Sequence, residues 1–341
     1  MSAETRQQPP NERLMQCITG HWVAAATYVA AKLGIADYLA DGPKTGDEVA
    51  AAVGSHTPST YRLLRALAAL GILQETNAHA FTLTEVGELL QTDHPKSMRS
   101  MALFQGADPH WRGWGNLLHT VKTGEAAFAD VHGMGFFDYC KTDDDFSEAF
   151  NGAMTGMSAA ASEAVVDAYD FSGINELVDV GGGHGYLLSR ILQKHDQMNG
   201  ILCDLPHVVE GASAKIEEMG LSSRCELVGV DFFESVPAGD AYIAKNIIHD
   251  WDDVHAVKIL SNMRESMEGN GKVLLVEAVI TDDNRNSTAI MIDLEMLHAT
   301  HGGRERTRNE FDDLFRQVGL KLSRVVETQS IFCVVEAIPT S

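Results

Sequence analysis

Residues 177–192, LVDVGGGHGYLLSRIL, contain an apolar run, a glycine-rich turn and a second apolar run in direct succession. The first four residues have the composition of a buried strand, with Asp179 near its end. The glycines that follow permit a tight turn, in which the backbone approaches a ligand without Cβ atoms in the way. From Tyr186 onward the apolar residues return at helical spacing. A strand, a turn and a helix in this order form the nucleotide-binding unit of doubly wound sheets.

The spacing of the glycines separates two kinds of nucleotide site. A dinucleotide pyrophosphate site requires G-x-G-x-x-G, and counted from Gly181 its third glycine would fall on Tyr186. The pattern present is acid-x-G-x-G-x-G, starting at Asp179, which resembles the pattern of S-adenosylmethionine (SAM) methyltransferases. For this segment alone, a glycine turn with a merely structural role is the alternative.

The composition of the whole chain restricts its class and its partners. With 341 residues, 45% of them hydrophobic, the chain has room for two globular domains. No apolar stretch approaches the ~20 residues of a membrane span, and the polar N-terminal residues lack an export signal. A net charge of −22 repels phosphate backbones and anionic lipid. Small molecules are therefore the expected substrates, and neither nucleic acid nor a membrane is an expected partner.

The five cysteines, at 17, 140, 203, 225 and 333, are odd in number and show no C-x-x-C spacing. This usage is typical of free or buried thiols in a reducing compartment. The sequence therefore predicts a cytoplasmic protein.

The first half of the chain has a helical pattern with one short β excursion. Residues 14–39 are apolar with little charge on any side, so a helix there must be buried, and a second subunit is one surface that can bury it. Helices are predicted over 45–53 and 58–70, and residues 72–75 and 80–83 flank a turn like a small hairpin. Helix, turn, helix and hairpin together are typical of a winged-helix arrangement.

Winged helices often bind DNA, so a ligand-sensing regulator is an alternative function. Up to residue 110, however, there are eight Lys and Arg against eleven Asp and Glu. The helix that would read DNA offers Arg62 and Arg65, and the hairpin has no basic residue. A reader of the major groove needs several phosphate contacts from basic side chains. The pattern therefore favours a structural or dimerising role for this half.

Strands alternate with helices in the second half, after a helical connector over residues 111–170. This alternation predicts a mostly parallel sheet with a strand pair at its end. The predicted strands are Leu177–Val180, Gly200–Asp204, Cys225–Val230, Ala241–Asn246, Lys272–Ala278, Leu320–Val326 and Phe332–Ala337. The predicted fold class is therefore α/β, with a doubly wound, Rossmann-like domain after a mainly helical one.

The ends of the predicted strands carry groups that suit a nucleoside. Ligands of an open α/β sheet lie past the carboxyl ends of its strands. Asp204 ends the second strand, where a carboxylate can accept both ribose hydroxyl hydrogen bonds. Asp231 and Phe232 end the third, with a hydrogen-bond acceptor and an aromatic ring for adenine. Each has a structural alternative, Asp231 as the cap of a turn and Phe232 as a core residue.

Five ordered segments extend the similarity over almost the whole second half. They are LVDVGGGHG, CDLPHVV, VGVDFFESVPAGDAYIAKNIIHDWDD, GKVLLVEAVI and HGGRERTRNEFDDLF. In order and spacing they resemble the SAM-dependent O-methyltransferases of the caffeate and hydroxyindole type, in their bacterial small-molecule branch. The resemblance implies a homodimer formed through a winged-helix-like dimerisation domain at 1–110. A connector at 111–170 would contribute to the substrate pocket, and a SAM-binding catalytic domain would occupy 171–341.

The resemblance also implies roles for particular residues at the cofactor. Gly181 would line the methionine part of SAM, Asp204 the ribose, and Asp231 with Phe232 the adenine. The whole implied set is Gly181, Gly183, Asp204, Leu205, Asp231, Phe232 and Lys245, the last through a backbone or cofactor contact. The chain departs from the family at Phe232, where Met or a similar apolar residue is usual, and at His184, where Thr or Ser is common.

Methyl transfer from a sulfonium is an in-line displacement that needs an aligned, deprotonated nucleophile. A phenol has a pKa near ~10, so a histidine beside the hydroxyl is a suitable general base. His249 follows the fourth strand and matches the family's catalytic base. Glu277, a lone acid in a buried strand, and Glu305 match the acidic partners that orient the imidazole.

A metal-dependent mechanism is the alternative for this region. Asp250, Asp252, Asp253 and His255 cluster in the sequence, and hard oxygen ligands of this kind hold Mg²⁺. Asp252 and Asp253, however, begin a predicted helix, whose N-terminus acidic residues stabilise. A histidine base and a metal are alternative strategies, so no catalytic metal is predicted.

An apolar acceptor pocket is predicted from the connector helices. One helix face, at spacings of about four and three, comprises Phe146, Phe150, Met154 and Met157. In the resembling family the matching positions line the acceptor site, together with those of Met296 and Thr300. Core packing is the alternative for such a stripe. Four aromatic residues remain open between the two roles, namely Trp111, Trp114, Phe136 and Phe137.

The sequence thus predicts transfer of a methyl group from SAM to a hydroxyl of a small aromatic acceptor, such as a phenol, a hydroxyindole or a polyketide. N-methylation of a heteroaromatic or an amine is one alternative. A methyltransferase-like decarboxylase or hydroxylase that uses SAM structurally is another, although such members generally lose the base that His249 would supply here.

Overall fold

A computed structural model describes residues 9–281, 283 and 287–340 of the chain. Contacts divide the chain into two compact units, Met1–Arg112 with Cys140–Gly156 and Gly113–Tyr139 with Met157–Ser341. The segment 111–170 is shared between the units, because its parts pack with different neighbours. The three-part division made from the sequence stays a prediction. In the described part of the chain, no helix combines the length and the apolar character needed to cross a bilayer.

The first unit opens with the helices α1 (Pro10–Lys32) and α2 (Ile35–Tyr38). The sequence predicts one helical run over 14–39, whereas the structure interrupts it at Gly34, which has a φ of 65°. A positive φ is incompatible with a continuing α-helix, so the run breaks here. Glycine adopts this conformation without the strain that a Cβ would cause.

A helix pair and a small sheet follow, as the sequence predicts. Their bounds are β1 (Lys44–Thr45), α3 (Gly46–Val53), α4 (Thr57–Ala69), β2 (Leu73–Glu75) and β3 (Ala80–Leu83). The strands form an antiparallel sheet in the order β1-β3-β2. Thr45 and Glu48 close a capping box that starts α3, and Leu64, Leu67 and Phe81 are buried in one core. This is the predicted winged-helix arrangement.

The segment between the winged helix and the second half of the chain is helical. Its elements are α5 (Glu85–Glu88), α6 (Arg99–Gly106), α7 (Asp108–Gly115), α8 (Leu117–Thr123), α9 (Ala127–His132), α10 (Phe136–Cys140) and the long α11 (Asp144–Ala168). The helical character predicted for the connector is therefore present, and α11 contributes residues to both units.

In the residues that the structure describes, seven strands form the sheet of the second unit. In chain order the elements begin with β4 (Glu176–Val180), α12 (Tyr186–Lys194), β5 (Asn199–Asp204), α13 (Pro206–Glu218), β6 (Cys225–Gly229), β7 (Gly239–Lys245), α14 (Asp253–Ser266) and β8 (Met267–Glu277). They continue with β9 (Val279–Ile280), α15 (Ser287–Ala299), β10 (Arg306–Thr307), α16 (Arg308–Gln317), β11 (Leu320–Glu327) and β12 (Cys333–Pro339). A 3₁₀ turn over Ile248–Asp250 lies between β7 and α14, and β9 pairs with β10 outside the sheet.

The strand order is β11-β12-β8-β7-β4-β5-β6. The strands from β8 to β6 are parallel, while β12 and β11 are antiparallel to their neighbours. The predicted mostly parallel sheet with a terminal strand pair is confirmed. The chain runs from β4 outward to β6 and then returns to β7 on the other side of β4. The topological switch point, where such sheets bind their ligands, therefore lies between β4 and β7.

Helices cover both faces of this sheet. Along β4, Leu177 belongs to one core with residues of α12 and α13, whereas Val178 and Val180 belong to another with residues of α14 and α16. Alternate residues of a strand point to opposite faces, so both faces are apolar where both are covered. Polar side chains at the ends of the strands are left to form the site.

Candidate active site

The glycine-rich turn lies between β4 and α12, at the carboxyl edge of the sheet. Gly181 has a φ of 69° and donates its N–H to the carbonyl oxygen of Cys203 at 2.8 Å. A Cβ at this position would lie 2.5 Å from Cδ1 of Ile247 and 3.6 Å from the ring of Phe232. Both the backbone conformation and the close neighbours therefore require glycine.

Asp204, at the end of β5, is held in place by the turn. Its Oδ2 accepts the N–H of Gly183 at 2.8 Å, and its Oδ1 accepts that of Leu205 at 2.7 Å. A carboxylate has about four lone-pair sites, so each oxygen retains capacity for a further donor. Asp204 is half-buried and Leu205 is exposed. This geometry suits a carboxylate that receives a pair of ribose hydroxyls.

Asp231 and Phe232 lie just after β6. Oδ1 of Asp231 accepts the N–H of Phe233 at 2.8 Å, so this side chain caps a turn, which is the structural alternative considered from the sequence. The half-buried ring of Phe232 packs against a core and lies 4.9 Å from the ring of Phe233. Both residues thus have a structural role, and their contact with adenine stays a prediction.

Asn262, on α14, is a residue of this region that the sequence analysis missed. It is buried, and its Nδ2 donates to the carbonyl oxygen of Phe232 at 2.7 Å. The bond ties the loop after β6 to a helix of the core. The available signal was a polar residue on the apolar side of a predicted helix, between Leu260 and Met263.

Asp179 and Lys245 influence each other electrostatically beside the turn. Burial raises the pKa of Asp179 to about 7, although Lys245 opposes the change. Burial likewise lowers the pKa of Lys245, and Asp179 opposes that change. A contact of Lys245 with a cofactor stays a prediction.

Glu277 ends β8 and is completely buried. Its Oε1 accepts the N–H groups of Ile247 at 3.2 Å and of Ile248 at 2.9 Å, in the loop after β7. Its Oε2 lies 3.9 Å from Nδ1 of His249. Burial raises the pKa of Glu277 to about 7, against the opposing effect of His249. The carboxylate therefore holds the backbone of this loop by hydrogen bonds and interacts with the imidazole through charge.

His249 lies among carboxylates on both sides of its ring. Its Nδ1 is 2.8 Å from Oε1 of Glu305, and its Nε2 is 3.6 Å from Oδ1 of Asp250. Burial alone would lower the pKa of His249, but Asp250, Glu277 and Glu305 more than offset this and raise it to about 10. The three predicted residues of the catalytic group are thus brought together, and Asp250 joins them.

The segment 304–306 supports this group through contacts with the turn that carries the imidazole. The N–H of Arg304 donates to the carbonyl oxygen of His249 at 2.8 Å, and the N–H of Glu305 donates to Oδ1 of Asp293 at 2.9 Å. Arg306 is completely buried and donates to the same loop. The sequence pointed to Glu305 but not to Arg306, although two arginines flank that acid in GGRERT.

A metal ion would find possible ligands in the same group. One ligand atom each from His249, Glu277 and Glu305 lie within 4.8 Å of one another. Two of the residues that the sequence suggested as metal ligands, Asp252 and Asp253, have other partners. Asp252 caps α14 by accepting the N–H of His255 at 2.9 Å, and Asp253 pairs with Arg306 at 2.8 Å. The absence of a catalytic metal stays a prediction.

Three of the predicted acceptor-pocket residues lie on α11 in the first unit, namely Phe146, Phe150 and Met154. The rings of Phe146 and Phe150 lie 5.6 Å and 5.3 Å from that of Phe104. Phe146 is buried, while Phe150 and Met154 are half-buried. Packing within the unit therefore accounts for Phe146, the alternative considered from the sequence.

The other three, Met157, Met296 and Thr300, lie in the second unit. Met157 packs against the core that contains α12. Thr300, just after α15, donates its hydroxyl to the carbonyl oxygen of Met296 at 2.8 Å. All three are half-buried. That these six residues line one pocket stays a prediction.

The four aromatic residues left open by the sequence have different environments. Trp114 donates its Nε1–H to Oε2 of Glu295 at 2.8 Å and stacks on the ring of His298 at 5.1 Å. Phe136 is buried, whereas Trp111 and Phe137 are exposed. Trp114 thus has a polar role that aromatic content alone did not indicate.

Two family models match the chain. The O-methyltransferase dimerisation domain matches residues 15–93, and the O-methyltransferase domain matches residues 114–321. The first match lies within the predicted dimerisation domain at 1–110, and the second covers most of the predicted connector at 111–170 and of the predicted catalytic domain at 171–341. The resemblance seen in the sequence is thereby confirmed.

Known relatives are similar over nearly their whole length. The phenazine O-methyltransferase PhzM of Lysobacter antibioticus is 42% identical, over 97% of this chain and 97% of its own. The phenazine-1-carboxylate N-methyltransferase of Pseudomonas aeruginosa is 33% identical, over 92% of this chain and 93% of its own. The relatives thus include both O- and N-methyltransferases.

Solved structures share the fold. The crystal structure of LaPhzM superposes with a TM-score of 0.90 at 42% identity, over 98% of this chain and all of that chain (100%). The O-methyltransferase NcsB1 from neocarzinostatin biosynthesis, solved with SAM and 2-hydroxy-5-methyl naphthoic acid, has a TM-score of 0.79 at 33% identity. That match covers 93% of this chain and 96% of the other. The fold class and the cofactor predicted from the sequence are confirmed by these similarities.

Proposed function

The chain belongs to the O-methyltransferase family, whose cofactor is SAM, and we propose that it methylates a hydroxyl of a small, flat aromatic acceptor. The observation that carries this proposal is the position of His249 among carboxylates, with its Nδ1 2.8 Å from Oε1 of Glu305. In the proposed reaction His249 takes the proton of the acceptor hydroxyl. The oxygen then forms a bond to the methyl carbon while the bond from that carbon to sulfur breaks.

The strand ends of the second unit supply the proposed cofactor site. SAM provides a methyl group on positively charged sulfur, from which it is displaced in line. The turn leaves backbone uncovered by Cβ atoms, and Asp204 retains acceptor capacity for ribose hydroxyls. The ring of Phe232 borders the turn, where it can pack on adenine. The proposed contacts are Gly181, Gly183, Asp204, Leu205, Asp231, Phe232 and Lys245.

The carboxylates of the site stabilise the protonated form of His249, the product of the proposed proton transfer. The pKa of His249, raised to about 10, is close to the ~10 of a phenol. Proton transfer between groups of similar pKa is nearly thermoneutral, but only the neutral form of His249 can accept the proton, so the activity of the proposed base should increase with pH. With Glu305 at Nδ1, Nε2 is the ring nitrogen proposed to take the proton of the acceptor. Glu277 and Glu305 stabilise the imidazolium that results, following the logic of hydrolase triads.

The same base favours a hydroxyl over a nitrogen acceptor. A heteroaromatic nitrogen presents its lone pair without losing a proton, so it has no use for His249 and its glutamates. The acceptors named for the relatives and the solved complex, phenazines and a naphthoic acid, are flat and polycyclic. We infer an acceptor of this shape, because thioether and aromatic side chains, which predominate among the residues that the sequence predicts at the acceptor, adapt to flat rings.

The protein is further proposed to act as a homodimer through its first unit. The dimerisation-domain match covers most of α1. Leu14, Ile18 and Trp22 of that helix are exposed. Large apolar side chains that recur on one side of an exposed helix mark an interaction surface.

Replacing His249 by alanine tests the reaction. Given isotope-labelled SAM and a panel of phenols, hydroxyindoles and hydroxylated phenazines, the wild type should label at least one acceptor. His249→Ala should lower turnover by about 10²–10⁴-fold, the usual effect of losing a general base. Calorimetry should find its SAM affinity unchanged, because the strand ends are untouched.

His255→Ala is the matched control, since His255 is an exposed histidine on the neighbouring helix α14, and it should retain turnover. Full activity in His249→Ala would remove the proposed base. Label found on nitrogen acceptors, with the hydroxyl acceptors unlabelled, would replace the proposed reaction by N-methylation.

A further inference from the structure

Arg306 is the largest of the completely buried side chains in the described part of the chain. It directly follows Glu305 and lies in β10, which pairs in parallel with β9. A buried guanidinium is costly unless its donors are satisfied. The groups that accept its hydrogen bonds therefore indicate the structural role of Arg306.

Those acceptors lie on both sides of His249 in the chain. Nη1 of Arg306 donates to the carbonyl oxygen of Ile248 at 3.0 Å, and Nη2 donates to that of Trp251 at 2.8 Å. Nη2 and Nε also donate to Oδ1 of Asp253, at 2.8 Å and 3.2 Å. One side chain thus binds the start and the end of the short turn that carries the imidazole.

The two residues that precede Arg306, just before β10, bind the same turn. The N–H of Arg304 donates to the carbonyl oxygen of His249 at 2.8 Å, and Oε1 of Glu305 lies 2.8 Å from Nδ1 of His249. Arg304 therefore holds the backbone of His249, Glu305 holds its side chain, and Arg306 holds the residues around it. Any shift of the turn relative to β10 would separate the imidazole from Glu305.

We propose that Arg306 is a positioning residue, which fixes residues 248–251 against β10 so that His249 meets Glu305. The inference rests on the proposed role of His249 as the base. The chemistry requires arginine, because a planar guanidinium presents several donors in a fixed fork, whereas the ammonium of lysine is a single point. Lysine would keep the positive charge but could not bind Ile248, Trp251 and Asp253 together.

The substitution Arg306→Lys separates positioning from charge. The turnover number should fall by about 10–100-fold, since a small misplacement of a catalytic group has an effect of this size. SAM affinity, measured by calorimetry, should not change. The rise of activity with pH should move to lower pH, because an imidazole farther from Glu305 has a less elevated pKa. A residue that supplies charge alone would be replaced by lysine without loss.

Arg324→Lys is the matched control, because Arg324 on β11 of the same unit also binds a carboxylate, that of Glu336, and should leave turnover and pH profile unchanged. The double variant His249→Ala/Arg306→Lys should be no slower than His249→Ala, since a positioning residue has no effect without the group that it positions. Additive losses would indicate general damage and overturn the proposal, as would a normal pH profile in Arg306→Lys.

Asp253→Asn keeps the proposal testable if Arg306→Lys does not fold. It leaves both carbonyl bonds of Arg306 in place and removes the charge of its carboxylate partner. The pH profile should then move in the same direction by a smaller amount, and an unmoved profile would overturn the proposal. Failure of the proposed function is distinguishable, because His249→Ala itself would then retain activity.

Discussion

Glu277 is a carboxylate in an otherwise apolar strand, and its contacts explain why burial is tolerated there. Its Oε1 accepts two backbone N–H groups, from Ile247 and Ile248, before any interaction with His249 is counted. Hydrogen bonds to a charged group contribute about 1.5–3 kcal/mol each, enough to offset much of the cost of burial. The sequence indicated that such an acid must be paired. It could not indicate that the first partner is the backbone of the loop rather than the imidazole.

Glu305 is one of three carboxylates, with Asp250 and Glu277, that together set the pH at which the proposed base becomes active. His249 can accept a proton only when neutral, and the surrounding carboxylates raise its pKa to about 10, so activity should rise with pH towards that value. Glu305→Gln removes one of those charges, which lowers the pKa of His249. The rising part of the profile should move down by about 1 pH unit, while the maximal rate falls because the imidazole is less well oriented.

The measurement is the turnover number from pH 6 to 10. Glu217→Gln is the control, as it makes the same change at an exposed position on α13 of the same unit and should leave the profile in place. A profile of Glu305→Gln that coincides with the wild type would contradict the assignment of Glu305 as the partner of Nδ1.

At the scale of elements, the glycine turn joins the sheet to α12 with little room to spare. A Cβ on Gly182 would lie 2.4 Å from Cδ1 of Leu202 and 2.6 Å from Oδ2 of Asp179, and both residues are buried. Gly182→Ala should therefore destabilise the protein by about 1–3 kcal/mol, as overpacking of a core does. Urea unfolding measures the loss. SAM affinity should fall as well, because the turn must move to make space.

Gly115→Ala is the matched control, because a Cβ there meets nothing within 4 Å and the residue lies at the end of α7. Its stability should be unchanged or slightly higher, since alanine favours a helix over glycine. Equal losses in the two variants would show that contacts around the turn are not the cause.

The elements of the second unit were predictable because their sequence patterns are local. Continuous apolar runs marked the strands of the sheet, and the acids at the ends of β5 and β6 followed from where ligands bind in such folds. Arg306 and Asn262 were not predictable in the same way. Their importance depends on backbone carbonyl groups that lie 55 and 30 positions away in the sequence, at Trp251 and Phe232. No local sequence pattern indicates to which backbone carbonyl group a buried side chain will donate its hydrogen bond.

The break at Gly34 is a local feature, yet the sequence did not predict it either. Glycine inside an apolar helical run is compatible with a continuous helix at moderate cost, so the sequence alone did not separate α1 from α2. The φ of 65° decides the matter in the structure. The acceptor pocket is harder still to predict from the sequence, because its six predicted residues are divided between the two units. A helical stripe shows that side chains share a face, but not what that face meets.

At the scale of the whole molecule, the chain combines a strongly acidic surface with an exposed apolar helix. The net charge of −22 favours separate, well-solvated molecules. Against this background, Leu14, Met15, Ile18 and Trp22 of α1 are each more than half exposed, at 61%, 57%, 58% and 66%. A hydrophobic surface of this kind is expected to be covered by a partner. The dimerisation-domain match over residues 15–93 supports the proposal that this partner is a second copy of the chain.

The double substitution Ile18→Glu/Trp22→Glu places charges on this surface and should prevent dimerisation. Each dimer would bury four added carboxylates, and burial of an unpaired charge costs several kcal/mol, so the dissociation constant should rise at least about 100-fold. Sedimentation velocity at micromolar concentration would then show monomer for the variant and dimer for the wild type. Val254→Glu is the control, because Val254 is an apolar residue of α14 in the second unit with 77% exposure, and it should stay dimeric. A variant with both glutamates that still sediments as a dimer would move the interface away from α1, to another surface of the first unit or to the catalytic unit.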